Sequence, residues 1–170
     1  MKTVLRSVAM AALLAAVSMT TWAQDKAGVT TAASSKFAAL PGLPTCATLS
    51  VQRGDPTKGA AVILAKATTG CLIPWHWHTT LESLMFVSGK AKIEMKGAAA
   101  AAAATGDYVY LPGKHQHQFT CVAACTFFIA TDGAFDIHYV DKDGNEIPIE
   151  KALPPAKKPA AAGKPGAGKK

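Results

Sequence analysis

The sequence predicts an all-β domain, a barrel or a sandwich. From residue 47 onward the apolar residues come in short, closely spaced runs. Gly, Pro and Asp separate those runs, as turns between strands require. Beyond the first two dozen residues, no stretch sustains a helical period.

Taken in order, residues 40–44 (LPGLP) form a turn-rich segment leading into the domain. Residues 47–52 read as a strand and residues 53–59 as a loop. In that loop Arg53, Gly54 and Asp55 read as turn chemistry rather than an adhesion motif. Residues 61–67 form the next strand. Further strands are expected at 84–87, 90–95, 107–111, 117–122, 126–130 and 135–140. Residues 141–144 (DKDG) signal a turn, and 145–149 a last short strand. Residues 98–104 are seven alanines. Alanine favours helix, but seven residues are marginal as a free helix, so a loop or frayed strand is expected there.

The ends differ from this core. Residues 1–23 read as a secretory signal peptide: a basic start with Lys2 and Arg6, an apolar run from Ser7 to Met19, and small residues Thr21 and Ala23 before the cleavage point. The apolar run is shorter than the roughly 20 residues a membrane span needs, so no stable membrane insertion is expected. Residues 24–39 read as a flexible lead, residues 40–153 as the barrel domain and residues 154–170 as a disordered tail rich in Lys, Pro, Ala and Gly. The formal net charge of +7 comes from these ends: two basic residues leave with the signal and five lysines lie in the tail. Without those seven, 11 basic residues face 11 acidic ones. Composition therefore implies no nucleic-acid surface. Four cysteines in an exported chain point to disulfides. Cys46, Cys71, Cys121 and Cys125 allow three connectivities. Cys121 with Cys125 would clip a tight hairpin, and Cys46 with Cys71 would tie the lead-in segment to the strand leading into residues 76–78.

The chemistry concentrates in the stretch 70–82, GCLIPWHWHTTLE. His76 and His78 are two apart, so on an extended strand both point to one face, with Trp75 and Trp77 on the other. Glu82 comes after a short excursion. Two imidazoles and a carboxylate make a partial sphere for a divalent transition metal. The fourth ligand must come from His115, His117 or His138, the other three histidines.

The spacing resembles the cupin superfamily. Gly70, His76-x-His78, Glu82 and Gly89 fit its first motif without a gap. Gly106, Pro112 and His117 resemble its second, and the likeness spans residues 42–140. Lys114 stands where a glycine is usual, with Gly113 expected to take over the left-handed turn position, and Cys121 stands where an asparagine is usual. The chain is thus identified as similar to small, single-domain exported bacterial cupins. The resemblance implies a double-stranded β-helix, a jelly-roll barrel, with His76, His78, Glu82 and His117 as metal ligands. His115, which shares strand parity with His117, becomes a group that supports a ligand from behind or contacts substrate, with an exposed turn residue as the alternative. His138, in a late strand, reads as a packing or surface residue.

Such a ligand set suits Fe, Mn, Ni or Zn and keeps positions open for chemistry. Glu82 or His115 would serve as general base. Leu84, Phe86 and Phe119 would line an apolar substrate pocket, favouring a small aromatic or apolar molecule over an oxalate-like one. The expected function is a dioxygenase-type oxidoreductase. An isomerase or decarboxylase and a non-catalytic small-molecule or metal-binding module are the alternatives. A homodimer through a sheet face bearing Trp75 or Trp77, and a periplasmic location, complete the expectations.

Overall fold

A computed structural model describes residues 27–153. The signal peptide and tail expectations, residues 1–23 and 154–170, lie outside the described residues. Eight strands occur among the described residues: β1 (Ala47–Gly54), β2 (Ala61–Ala67), β3 (Leu72–Trp77), β4 (Glu82–Met95), β5 (Ala101–Ala104), β6 (Tyr108–Leu111), β7 (His117–Thr131) and β8 (His138–Tyr139). One short helix, α1 (Ile149–Ala152), comes after them. No helix among the described residues is long and apolar enough to cross a membrane.

All pairings are antiparallel. Two long strands organise them. β7 pairs with β4 along nearly its whole length. On its other edge its first part meets β3 and its second part meets β2. β4 likewise carries β6 beside its first part and β5 beside its second. Both strands bend midway. The register between them slips around Ser88 and Lys90, and Val122, Ala123 and Ala124 emerge to solvent opposite. Each long strand therefore serves two walls of the barrel. Alternate residues point inward, and Ile63, Ala65, Leu84, Phe86, Ile93, Phe119, Phe127 and Ile129 form one core.

Several expectations change here. The strands expected at 84–87 and 90–95 are one bent strand, as are those at 117–122 and 126–130. Cys121 and Cys125 are paired, but across the bend of a single strand and not across a hairpin. Of 145–149 only an isolated bridge forms, Glu146 opposite Val140, made by the Ile147 amide on the Tyr139 carbonyl and the Asp141 amide on the Asn145 carbonyl, and α1 begins at Ile149. The alanine run supplies β5, whose residues 101–104 pair with 90–93. Ladder bonds are made by backbone, so a strand at the barrel edge needs little from its side chains. Asp55 does build a turn: its carboxylate accepts from the Thr57 amide and hydroxyl and from Lys58, which holds its pKa down at about 2.

Cys46 and Cys71 form the second pair, 25 residues apart in sequence, with Cα atoms 5.6 Å apart. It fastens the segment before β1 to the start of β3. Chain-entropy arithmetic assigns a loop of that length about 3.5 kcal/mol. The double variant Cys46→Ser/Cys71→Ser is expected to lose about that much, read as a lower urea midpoint with a steeper slope, because the unlinked unfolded chain exposes more surface.

Candidate metal centre

His76 lies on β3 directly opposite His117, the first residue of β7. His78 stands just beyond the end of β3, and Glu82 opens β4. Alternation turns His76 and His78 inward and leaves Trp75 and Trp77 half-buried on the outside. All four polar side chains are buried. One ring nitrogen from each of His76, His78 and His117 lies within 4.8 Å of the others. The Glu82 Oε2 is 3.7 Å from the Nε2 atoms of both His78 and His117.

The other ring nitrogen of each histidine is fixed by backbone. His76 Nδ1 donates to the Pro74 carbonyl at 2.7 Å, and His117 Nδ1 to the His115 carbonyl at 2.9 Å. His78 Nδ1 donates to the Asp136 carbonyl. Each bond selects the tautomer whose Nε2 carries a lone pair. Three carbonyls thus orient three imidazoles into one cluster, and two of them, His78 and His117, set Nε2 against the Glu82 carboxylate. This donor set fits a divalent transition ion.

The loop joining His78 to Glu82 is pinned by two aspartates from the segment after β7. Asp136 accepts from the Thr79 amide at 2.8 Å. Asp132 accepts from the Thr80 hydroxyl and, at 3.2 Å, from the Leu81 amide. Sequence spacing does not reveal these two residues, which lie more than 50 positions from the loop they hold. On the other side of that loop, Lys114 donates its amide to the His78 carbonyl at 2.7 Å. Lys114 itself takes the left-handed conformation, φ 63°, which corrects the expectation placed on Gly113. Gly113 is needed for space: a Cβ there would lie 2.6 Å from the Thr79 carbonyl oxygen.

Burial lowers the pKa of His76 well below the ordinary imidazole value, and the nearby His117 and His78 rings add to this. Burial also lowers His78 and His117 and raises Glu82. These shifts set the sign of the pH dependence. Below about pH 6.5 the unfolded chain protonates its histidines while these three resist, so the unfolded state gains protons and stability falls with pH. Glu82 acts oppositely, since its raised pKa favours the native state on acidification. With three groups against one, the melting temperature of metal-free protein is expected to fall steadily from pH 7 to pH 5. A flat profile in differential scanning calorimetry would contradict this balance.

A small cavity of about 30 Å³ adjoins the four groups, walled by Ile73, Leu84, Phe119, Phe127 and Ile129 among others. Leu84 and Phe119 therefore face it. Phe86 does not reach it; its ring packs with Phe119 and Phe127 at centroid distances of 6.3 and 5.3 Å. The His115 ring is not among the cavity walls; its carbonyl holds His117. His138 stacks on Trp77 at 3.9 Å, and its ring nitrogens meet Asp136 and Glu146.

The ChrR cupin-like domain matches residues 24–135. The chain belongs to that cupin family. Structural likeness agrees with the jelly-roll barrel. An RmlC-like cupin from Ralstonia eutropha superposes with TM-score 0.58 and 20% identity, over 72% of this chain and 78% of that one. An RmlC-like cupin from Shewanella frigidimarina gives 0.53 and 11%, over 69% and 96%. The DMSP lyase DddQ from Ruegeria pomeroyi gives 0.51 and 15%, over 68% and 61%. At these identities the likeness is one of fold. No curated protein matches the chain. This cupin thus combines a jelly-roll barrel with a buried histidine cluster able to hold a divalent metal ion.

Proposed function

We propose that this cupin is an exported, metal-dependent oxidoreductase of dioxygenase type acting on a small organic molecule, with His76, His78, Glu82 and His117 as ligands. The observation that carries the reading is the set of three Nδ1-to-carbonyl bonds that fix a buried three-histidine cluster, two of whose rings face the buried Glu82 carboxylate. A metal site that serves structure alone needs no cavity beside it. Here an apolar cavity opens at the ligands, as catalysis at a metal requires.

A bound ion would supply Lewis acidity and, if it is iron or manganese, electrons for dioxygen. The protein's own part is distinct. The carbonyls of Pro74, His115 and Asp136 hold the imidazoles in one tautomer. Leu84, Phe119 and Phe127 exclude water and bound the substrate's apolar portion. Glu82, whose pKa burial has raised, is placed to take a proton if its carboxylate turns from the ion. The wall carries one cation, Lys66, whose exposed amino group sits 4.2 Å over the Phe37 ring. A small phenol or enol suits such walls better than a dicarboxylate.

The test is elemental analysis of mature protein from its native compartment, then oxygen uptake with small phenolic and enolic compounds. Stoichiometric iron or manganese, with uptake lost in His78→Ala, is the expected result. Tightly held metal with no turnover for any such compound would favour a binding module.

A further inference from the structure

The cavity beside the ligands admits a substrate only when a wall side chain moves. About 30 Å³ holds one or two waters. A second, larger space lies close by: a surface groove of about 520 Å³ between the lead and β1, with Leu40, Leu49, Val51, Ile63 and Phe135 among its apolar residues and Thr30, Ser34, Ser35 and Lys36 among its polar ones. Two side chains line both spaces, Leu49 and Phe135. Together they are the partition between the solvent-side groove and the metal cavity.

We infer that substrate reaches the metal centre from this groove, with the Phe135 side chain as the gate. The inference rests on the metal-site reading above. Phe135 stacks on His78 at a centroid distance of 4.9 Å and lies past the end of β7, outside any strand. Its amide is held by the Pro56 carbonyl at 2.8 Å, so the backbone stays while the ring turns. Leu49, by contrast, is part of β1 and makes a two-way bridge to Ala38. The cavity's other flank, at Leu43 and Ile137, is tied down. The Tyr139 hydroxyl donates to the Gly42 carbonyl at 2.8 Å, a Cβ added at Gly42 would touch both Ile137 and Ile149, and the Cys46–Cys71 pair anchors the chain three residues beyond Leu43. Opening there would move backbone; opening at Phe135 needs a single rotamer change. The groove's apolar floor and hydroxyl-bearing rim suit an amphiphilic small molecule, an aromatic or aliphatic body with a hydroxyl or single anionic group.

A gate and a structural support predict different kinetics. Stopped-flow uptake of Co(II) by metal-free mature protein, and its release to excess chelator, give both rates and their ratio. Phe135→Ala is expected to speed uptake and release together by tenfold or more, leaving the dissociation constant within about twofold. Phe135→Leu, a milder change, is expected to move both rates the same way by less. Val122→Ala, on the exposed bend of β7 and lining neither space, is expected to leave the rates alone. If Phe135→Ala instead weakens binding through faster release at unchanged uptake, the ring only supports His78 and the gate is overturned. Acceleration by Ile137→Ala but not by Phe135→Ala would place the route on the opposite flank. Wild-type protein that takes up no Co(II) would overturn the metal reading itself.

Discussion

His117→Ala is expected to lower metal affinity at least 100-fold while leaving the barrel folded. Loss of a partner behind a ligand already costs about 10- to 100-fold, and loss of the ligand itself exceeds that. His117 is also the sole member of the cluster that comes from β7, so no neighbour on its own strand can move in to replace it. Its partner across the ladder, His76, is already committed through Pro74. Equilibrium dialysis against a chelator series reads the affinity, and circular dichroism reads the fold. The companion change at Glu82 separates site from scaffold more sharply. Burial opposes a charge there when no cation is present, whereas an ion needs that charge. Glu82→Gln is therefore expected to stabilise the metal-free protein, on the order of 1 kcal/mol, and to weaken metal binding. Movement of both quantities in the same direction would show that Glu82 serves the fold and not an ion.

The histidine cluster was legible because its spacing carries its geometry. His76-x-His78 requires only that the segment be extended, and Gly106, Pro112 and His117 supply a second motif at a matching distance. The β2 strand at 61–67 was legible for a similar reason, since five apolar residues run from Ala61 to Ala65 after a turn and only Lys66 interrupts the strand before Ala67. What the sequence concealed lies where long strands bend. Ser88, Gly89 and Lys90 look like a break between strands, as do Ala123 and Ala124, because one-dimensional pattern does not distinguish a bulge from a turn. The same holds for the residues behind the site. Asp132 sits in an unpatterned loop and Asp136 in the stretch 135–140, read as a strand although only His138–Tyr139 forms one, and only the fold brings them to the His78–Glu82 connection. Lys114 departs from the expected glycine at a position where a left-handed residue costs roughly 1–2 kcal/mol, while its amide bond to His78 recovers part of that.

Gly89→Ala is expected to damage both the fold and the site, although Gly89 touches neither a ligand nor the cavity. Glu82 and His117 belong to opposite ends of the β4–β7 ladder: Glu82 pairs with Thr131, while His117 pairs with Met95. Thirteen residue steps separate Glu82 from Met95, and an extended strand would spread them over about 40 Å. Yet Glu82 Oε2 and His117 Nε2 lie 3.7 Å apart. The ladder closes on itself only because both strands bend at their middle, and Gly89 is where β4 does so, at φ 89°. A Cβ there would stand 2.1 Å from the Ala124 carbonyl oxygen and 2.8 Å from the Cys125 Cα, both backbone atoms that cannot rotate aside. Positive φ costs about 1–2 kcal/mol for an alanine, and the forced backbone shift about 1–3 kcal/mol more. Gly106 provides the comparison. Its φ is 90°, but a Cβ there meets nothing within 4 Å, so Gly106→Ala is expected to cost the conformational part alone, about 1–2 kcal/mol. Urea titration of the two variants measures that difference. Metal titration then asks whether it is functional: Gly89→Ala is expected to lose affinity because its bend no longer brings Glu82 to His117, and Gly106→Ala to keep it. Equal metal affinities in the two variants would mean that the ligands find one another without the bend.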